Sequence, residues 1–238
     1  MKTEGRNAVL ELLKTDKTIE KVLLEKNAQG SLGRIFAEAR QKGVRVQFVD
    51  KRVLDKESAT GRHQGCIAFS SDYKYSSLDE IISDKGEGGG FVILCDCIED
   101  VHNLGSIIRV AECAGADGVV IQSTNSASVT EAVVRISAGA ANHVKVAKVN
   151  SLNRAVDELK KNGYWLYALE ADGSDIYSAD LSGNVALVIG GEDSGVKKLT
   201  REKCDFVLSL PMAGKVNSLN ASVALGVAAY EVLRRRRK

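Results

Sequence analysis

The chain has 238 residues, enough for one large domain or two modest ones, and 44% of them are hydrophobic, enough to form a buried core. No apolar run approaches the roughly 20 residues that a membrane-spanning helix needs. The first residues are charged from Lys2 onward, so we expect neither a membrane protein nor a signal peptide.

The charges are unevenly distributed, although the formal net charge is only +2. Residues 1–72 contain 14 Lys and Arg against 10 Asp and Glu, whereas residues 73–238 contain 19 against 21. This imbalance favours a polyanionic partner that meets mainly the N-terminal part. A solvated, mildly basic surface would give the same numbers.

The five cysteines have no framework spacing, and most of them lie in apolar or helical patterns. We therefore interpret them as reduced thiols of a cytoplasmic protein. Cys95 and Cys97 lie near His102. Without a second cysteine pair this spacing does not predict a zinc site, and we expect no bound metal.

The first 72 residues alternate between helical and strand patterns. Apolar spacing predicts helices over residues 7–13, 32–40 and 50–57. Strand patterns cover residues 21–24, 44–49 and 66–69. We therefore predict a small α/β domain over residues 1–72.

Residues 73–90 differ in composition from the segments on either side. A short helix is predicted near residues 78–82, and residues 86–90 include four glycines. Glycine density of this kind is typical of a flexible connection. The pattern predicts a linker over 73–90, between two domains.

From residue 91 onward, strand and helix patterns alternate to the end of the chain. Strands are predicted over residues 91–95, 118–121, 144–147, 164–169, 185–189 and 206–210. Helices are predicted over residues 104–114, 130–137, 151–162, 198–203 and 219–236. Several strands are continuous apolar runs, as expected when both faces of a parallel sheet are covered. Residues 91–238 are therefore predicted to form an α/β domain with a mostly parallel sheet.

Three segments place small and polar residues directly after predicted strands, namely residues 103–109, 187–195 and 210–222. In α/β proteins, backbone amides and fixed polar side chains at strand ends bind ligands. The sequence has no Walker loop, and no G-x-G-x-x-G turn follows the first strand of this domain. The glycines therefore bring backbone close to an adenosine-like or other flat ligand, or they only form tight turns after buried strands.

Together these segments resemble the three motifs of the SpoU/TrmH family of RNA ribose 2'-O-methyltransferases, in the wider SPOUT class. Order and spacing agree throughout residues 91–233. The matching residues are Asn103, Gly105 and Arg109, then Gly190, Glu192 and Gly195, then Leu210, Pro211, Met212, Ser218, Leu219 and Asn220. Residues 4–7 and 62–65 resemble a small substrate-binding domain, similar to RNA-binding ribosomal proteins, in the branch that methylates a guanosine ribose of 23S rRNA.

The resemblance implies a fold and a cofactor that periodicity does not reveal. Chains rarely form knots, yet this family threads its C-terminal segment into a deep trefoil knot, and the knotted face forms a homodimer. S-adenosylmethionine is expected to bind at the knot in a bent conformation. The residues implied to bind it are Leu169, Glu170, Gly190, Gly195, Leu210, Met212, Ser218 and Leu219.

The residues implied to act in catalysis are Asn103, Arg109, Glu192, Ser218 and Asn220. Because a guanidinium stays protonated in proteins, we expect Arg109 to bind a phosphate or stabilise a developing alkoxide, and not to act as a base. Glu192 would orient that arginine or the ribose, while Ser218 and Asn220 would hold the hydroxyl. The alternative is that Arg109 is only a surface residue of its helix.

Arg62, His63 and Arg135 are the residues that we expect to contact RNA. His63 could instead form local hydrogen bonds in a turn, and Arg135 could belong to a helix end built of small residues. The basic residues 234–238 could bind RNA or simply complement the dipole of the last helix. A tRNA methyltransferase and an inactive RNA-binding protein of ribosome assembly are the alternative functions, and the intact motif residues argue against the second.

Overall fold

A computed structural model describes the chain apart from residues 16, 27–29, 87, 192–194, 216–217 and 238. The chain divides into two compact units, Met1–Lys74 and Tyr75–Lys238. Within the described residues, no helix is long and apolar enough to cross a membrane.

The first unit is a small α/β domain. Its elements in chain order are β1 (Lys2–Glu4), α1 (Arg6–Lys14), β2 (Thr18–Glu25), α2 (Ser31–Gln41), β3 (Arg45–Val49), α3 (Lys51–Glu57) and β4 (Cys66–Ser71). The sheet order is β1-β4-β2-β3, with β2 and β3 parallel and the other neighbours antiparallel. The sequence pattern does not predict β1, because its three residues are polar and only their pairing with β4 makes them a strand.

Two helices cover one face of this sheet because their apolar residues repeat every three or four positions. Val9 of α1 and Ile35 of α2 are buried against Val22 of β2. On the opposite face, Leu54 of α3 packs with Leu23 of β2. The two β2 residues are adjacent in sequence, so they point to opposite faces of the strand.

The second unit is built on a parallel sheet. Its elements are α4 (Leu78–Ser83), β5 (Phe91–Asp96), α5 (Val101–Cys113), β6 (Gly118–Gln122), α6 (Glu131–Ile136), β7 (Lys145–Val149), α7 (Leu152–Lys161), β8 (Trp165–Asp175), β9 (Val185–Gly190), α8 (Lys198–Lys203), β10 (Phe206–Ser209) and α9 (Ala221–Arg236). The strand order is β10-β8-β9-β5-β6-β7, and each neighbouring pair is parallel. The predicted α/β fold with a mostly parallel sheet is confirmed.

Two element boundaries differ from the prediction in ways that affect the site. α5 begins at Val101 and not at residue 104, because Asp100 caps it by accepting a hydrogen bond from the His102 N–H at 2.8 Å. Asn103 therefore lies in the first turn of the helix. β8 continues to Asp175, beyond the predicted end at residue 169, because β10 pairs along its length with a shift in register.

The order of the strands locates the site. The chain runs from β5 through β6 to β7 on one side, and β9, β8 and β10 lie on the other side of β5. All residues of β5 and β9 are buried. Open parallel sheets bind ligands at the carboxyl ends of strands, beside the point where the strand order reverses. The ends of β5 and β9 at Asp96 and Gly190 mark this point.

Part of the segment predicted as a linker is folded. α4 begins with a capping box in which Ser77 Oγ accepts from the Glu80 N–H and the Glu80 carboxylate accepts from the Ser77 N–H. Ile81 and Ile82 are buried in the core of the second unit. This helix therefore belongs to the second unit, because its two isoleucines bury their side chains there.

Candidate functional site

The first and third motif segments meet through their asparagines. Asn103 is buried in the first turn of α5, and Asn220 immediately precedes α9. Asn220 Nδ2 donates a hydrogen bond of 2.9 Å to Asn103 Oδ1. Asn220 Oδ1 accepts from the N–H groups of Ser222 and Val223 and so caps α9. One side chain therefore starts a helix and joins two segments that are 117 residues apart.

The second motif follows β9 and depends on two glycines. Gly190 lies so close to the backbone of Gly195 that a Cβ atom would overlap the Gly195 carbonyl group. Gly195 has a φ of +58°, which favours glycine, and a Cβ there would lie 2.6 Å from Glu170 Oε1. The motif thus reflects a close approach of two backbone segments. Glu192, the acidic residue of this motif, lies outside the described residues.

Two carboxylates, from the strands on either side of β9, hold the residues that follow this motif. Asp96 at the end of β5 is fully buried; its Oδ2 accepts from the Lys197 N–H at 2.9 Å, and its backbone carbonyl accepts from the Gly191 N–H at 3.1 Å. On β8, Glu170 Oε1 accepts from the Val196 N–H at 2.5 Å. The sequence analysis misses Asp96, because a single aspartate after an apolar strand matches no motif.

A cavity of about 160 Å³ lies at the carboxyl end of β9, beside the middle of β8 and the end of β10. All eight residues predicted to bind the cofactor line it, namely Leu169, Glu170, Gly190, Gly195, Leu210, Met212, Ser218 and Leu219. The further lining residues are Ala171, Ile189, Gly191, Leu208, Ala221 and Ala224. These small and aliphatic residues carry no chemical signal in the sequence beyond their position beside the motifs. An apolar cavity with backbone polar groups at its border can bind a flat ring whose edge carries hydrogen-bonding atoms.

Arg109 and Ser218 lie differently with respect to this cavity. Ser218 lines it directly. Arg109 follows Asn103 by six residues, which places it about 9 Å further along the α5 axis. Its side chain is exposed and has no partner within the described part of the chain. The guanidinium is therefore available to a ligand that extends beyond the cavity.

The three predicted RNA contacts have different surroundings. Arg62 and Arg135 are exposed. Only 4% of His63 is exposed; its Nε2 lies 2.9 Å from Asp55 Oδ1, and its Nδ1 accepts from the Gly65 N–H at 3.0 Å. The alternative of local hydrogen bonds in a turn therefore describes His63 better than a direct RNA contact.

The cysteines are free thiols. Burial raises the pKa of Cys95 to about 12 and that of Cys204 to about 12, so neither is a thiolate at neutral pH. Cys97 donates from its Sγ to Gln122 Oε1 at 3.3 Å. Among the described residues, no group of three or more His, Cys, Asp or Glu side chains is placed to hold a metal ion.

The basic residues at the end of α9 are bound by the second unit itself. The buried Glu231 carboxylate pairs with Arg234 at 2.7 Å and with Arg235 at 2.9 Å. Arg236 donates to three backbone carbonyl groups at 2.8 to 2.9 Å, those of Gly89, Gly90 and Gly183. These arginines therefore anchor the end of the helix, a role that the sequence analysis does not predict beside RNA binding and compensation of the helix dipole.

Fold and site together define an α/β protein with a cavity at the carboxyl edge of a parallel sheet. The family described as SpoU rRNA Methylase matches residues 90–230, and the one described as RNA 2'-O ribose methyltransferase substrate binding matches residues 3–76. YacO of Bacillus subtilis (strain 168), named for the TrmH family of tRNA/rRNA methyltransferases, is 42% identical over 98% of this chain and 94% of its own. The chain belongs to the SpoU/TrmH family of RNA methyltransferases.

Solved structures share the fold over both units. The SpoU methyltransferase AviRb from Streptomyces viridochromogenes, in complex with AdoMet, has a TM-score of 0.64 at 24% identity, covering 99% of this chain and 90% of its own. An AdoMet-bound rRNA methyltransferase from Sinorhizobium meliloti has a TM-score of 0.62 at 23% identity, covering 98% and 86%. At these identities the likeness establishes the fold.

Proposed function

We propose that this protein transfers the methyl group of S-adenosylmethionine to a ribose 2'-hydroxyl in RNA, with a guanosine of 23S rRNA as the favoured target. The observation that carries the proposal is the meeting of the motif segments. The Asn103–Asn220 hydrogen bond joins two of them, and the second and third line one cavity. The substrate-binding family matched by residues 3–76 supports the ribose as acceptor. The AdoMet-bound structures of similar fold support the cofactor.

The residues around the cavity fit this cofactor. Leu169, Leu210 and Leu219 offer apolar surface to an adenine ring. The close approach of Gly190 and Gly195, which leaves no room for a Cβ at Gly190, brings backbone polar groups to the cavity wall, where they can bind the ring edge. When bound, S-adenosylmethionine supplies a methyl group that its sulfonium has already activated.

The side chains of the site are proposed to hold the ribose hydroxyl in line with that methyl group. Orientation of this kind can supply several kcal/mol of a reaction barrier. The Asn103 and Asn220 amides are held to each other, and Asn220 lies between two residues of the cavity wall. Together with Ser218 they are proposed to hydrogen-bond the hydroxyl, and Glu192 is proposed to orient the ribose or Arg109. Arg109 is proposed to bind the adjacent phosphate or stabilise alkoxide charge.

We also propose a division of tasks along the chain. Residues 1–72 would recognise RNA, residues 73–90 would link the two domains, and residues 91–238 would catalyse methyl transfer. The protein would act on RNA in the cytoplasm. The excess of basic residues in the first segment supports this division. Exposed Arg62 and Arg135 are proposed to contact phosphates, and His63 to hold the turn that carries Arg62.

The proposal includes a trefoil knot in the C-terminal segment and a homodimer through the knotted part. An apolar stripe on the exposed face of α9 supports the dimer. Val223, Val227 and Tyr230 follow one another at helical spacing and are 51%, 37% and 52% exposed. Contiguous apolar surface of this kind marks sites of protein contact.

A charge placed in this stripe is expected to separate the dimer. Tyr230→Asp should give a monomer in sedimentation velocity at concentrations where the unmodified protein is a dimer, because the aspartate would be buried without a partner. Leu199→Asp is the matched control, since Leu199 is 57% exposed on α8. If Tyr230→Asp sediments like the unmodified protein, the stripe is not the dimer interface.

Methyl transfer in vitro tests the function. The protein is incubated with tritiated S-adenosylmethionine and either rRNA or tRNA from a strain that lacks this gene. We expect label in 23S rRNA, in a dinucleotide that resists alkali because a methylated 2'-oxygen cannot attack the adjacent phosphate. Label in tRNA would favour the second candidate, which the names of the relatives also include. No label in either RNA would indicate a binding protein without activity.

A further inference from the structure

Three aromatic side chains meet at the amino ends of β8 and β10. Trp165 and Tyr167 alternate along β8 and so share one face, and Phe206 begins β10 opposite Tyr167. The Phe206 ring stacks on Tyr167 with 5.2 Å between centroids and lies 5.9 Å from Trp165. Trp165 and Phe206 are 53% and 47% exposed. Large aromatic side chains are usually buried, so this exposed aromatic surface indicates a site of contact with a partner.

The rings border an open groove and not a flat surface. A cavity of about 420 Å³ lies between them and the segment Ser178–Ser182 that follows β8. A second cavity of about 450 Å³ continues along β10 and shares Ser178 and Phe206 with the first. Trp165 and Phe206 are the first residues of their strands. The first cavity therefore lies at the amino ends of β8 and β10, whereas the second reaches Asp175 of β8 and Leu208, a residue that also lines the cavity assigned to the cofactor.

The polar lining of the groove is acidic, with carboxylates from Asp172, Asp175, Asp180 and Asp205. Asp172 is paired with Arg201, and Asp205 with Lys160. Within the described residues, Asp175 and Asp180 form no ion pair; each instead accepts a backbone N–H, from Tyr177 and Ser182 respectively. Hydrogen bonds from Ser182 lower the pKa of Asp180, so this carboxylate is charged at neutral pH.

Aromatic faces beside carboxylates that form no ion pair favour a positively charged ligand. The face of a Trp, Tyr or Phe ring attracts a cation, and a desolvated site strengthens the attraction. The aspartates add a favourable potential for positive charge and repel the phosphates of RNA. An uncharged apolar partner would cover the rings but bring no positive charge to Asp175 or to Asp180, which already interacts with Arg235.

We propose that this groove, formed by Trp165, Tyr167, Phe206, Asp175 and Asp180, binds an arginine- or lysine-rich peptide segment of a partner protein. A guanidinium stacked on the exposed face of Trp165 or Phe206 would lie in the same cavity as the Asp180 carboxylate. The remaining basic side chains of the segment follow the second cavity toward Asp175. This binding requires neither the cofactor nor methyl transfer.

Tryptophan fluorescence measures the binding directly, because Trp165 is the single tryptophan of the chain. The full-length protein is titrated with an acetylated hexa-arginine amide at low salt. We expect a saturable change in Trp165 emission that weakens as salt rises, because exposed charge pairs are screened. Hexaglutamate should give no change. An absent change with hexa-arginine, or an equal one with hexaglutamate, overturns the proposal.

Variants identify the groove as the site of this binding. Phe206→Ala and Asp180→Asn should each weaken hexa-arginine binding, the former by about two- to fivefold, which is the value of one exposed cation–π contact. Asp180→Asn keeps an oxygen that can accept from Ser182. The controls are Leu199→Ala and Asp79→Asn, both exposed elsewhere in the same unit. Equal affinities in the groove and control variants overturn the proposal.

Two further outcomes would also overturn it. Oligouridylate that saturates the same fluorescence change would show that the groove binds single-stranded RNA. A loss of sedimentation mass in Phe206→Ala, without peptide present, would show that the groove is covered by a second copy of the chain. Calorimetry on Trp165→Ala, which removes the fluorescent probe, should show weakened hexa-arginine binding as well.

Discussion

Arg109→Ala is expected to slow methyl transfer by a factor of about 100 or more while leaving the fold and the cofactor affinity nearly unchanged. The loss corresponds to the removal of one donor that stabilises transition-state charge. The fold should tolerate the change because the side chain is exposed and unpaired within the described residues. Cofactor binding should persist because Arg109 does not line the cavity. Single-turnover methyl transfer at saturating RNA measures the rate.

Two further variants show whether the effect belongs to this guanidinium. Arg154→Ala removes an exposed arginine from α7 and should retain a normal rate. Arg109→Lys should recover little activity, because an ammonium cannot form the bidentate contact that a guanidinium makes with a phosphate. Near-normal turnover in Arg109→Ala would leave the residue as a surface residue of its helix. Asn103, Asn220 and Glu192 would then be the remaining candidates for chemistry.

The parallel sheet and the assembly of the cavity follow from local sequence. β5 and β9 are continuous apolar runs of a kind that only a sheet covered on both faces can bury. Parallel strands end at the same edge, so polar segments after different strands must meet there. This argument brings Gly190 and Leu210 to one cavity although 20 positions of sequence separate them.

Contacts between distant, unremarkable residues could not be predicted in this way. Asp96 meets the Lys197 amide across 101 residues, and nothing in the local pattern around either residue indicates the pairing. The burial of His63 depends on neighbours such as Asp55 that only the folded turn supplies. From the sequence, Arg236 is interpreted as part of a free basic tail. Its hydrogen bonds to the carbonyl groups of Gly89 and Gly183 exist only in the folded unit. The periodicity of a helix or strand in the sequence predicts which of its faces is buried. It does not predict which residues of another segment pack against that face.

Gly190→Ala is expected to weaken cofactor binding by a factor of about 100 or more and to destabilise the second unit by about 3 kcal/mol, the upper end of the range for overpacking a buried site. The added methyl group would overlap the Gly195 carbonyl, which is backbone and cannot rotate away. Relief requires the loop after β9 to move. That movement would break the hydrogen bonds that Asp96 and Glu170 make with Lys197 and Val196.

Calorimetry with S-adenosylhomocysteine, in a buffer containing EDTA, measures the affinity, and urea denaturation measures the stability. Gly214→Ala is the matched control, because nothing lies within 4 Å of a Cβ at Gly214 and its segment belongs to the third motif. It should bind the ligand normally. If Gly190→Ala binds normally and is not destabilised, the loop after β9 adapts to the added methyl group without cost. If Gly190→Ala is destabilised but still binds with full affinity, the close approach of Gly190 and Gly195 serves the fold alone. Loss of binding in Gly190→Ala with retention in Gly214→Ala ties the cofactor to the wall that Gly190 and Gly195 form, because Gly190 lines the cavity and Gly214 does not.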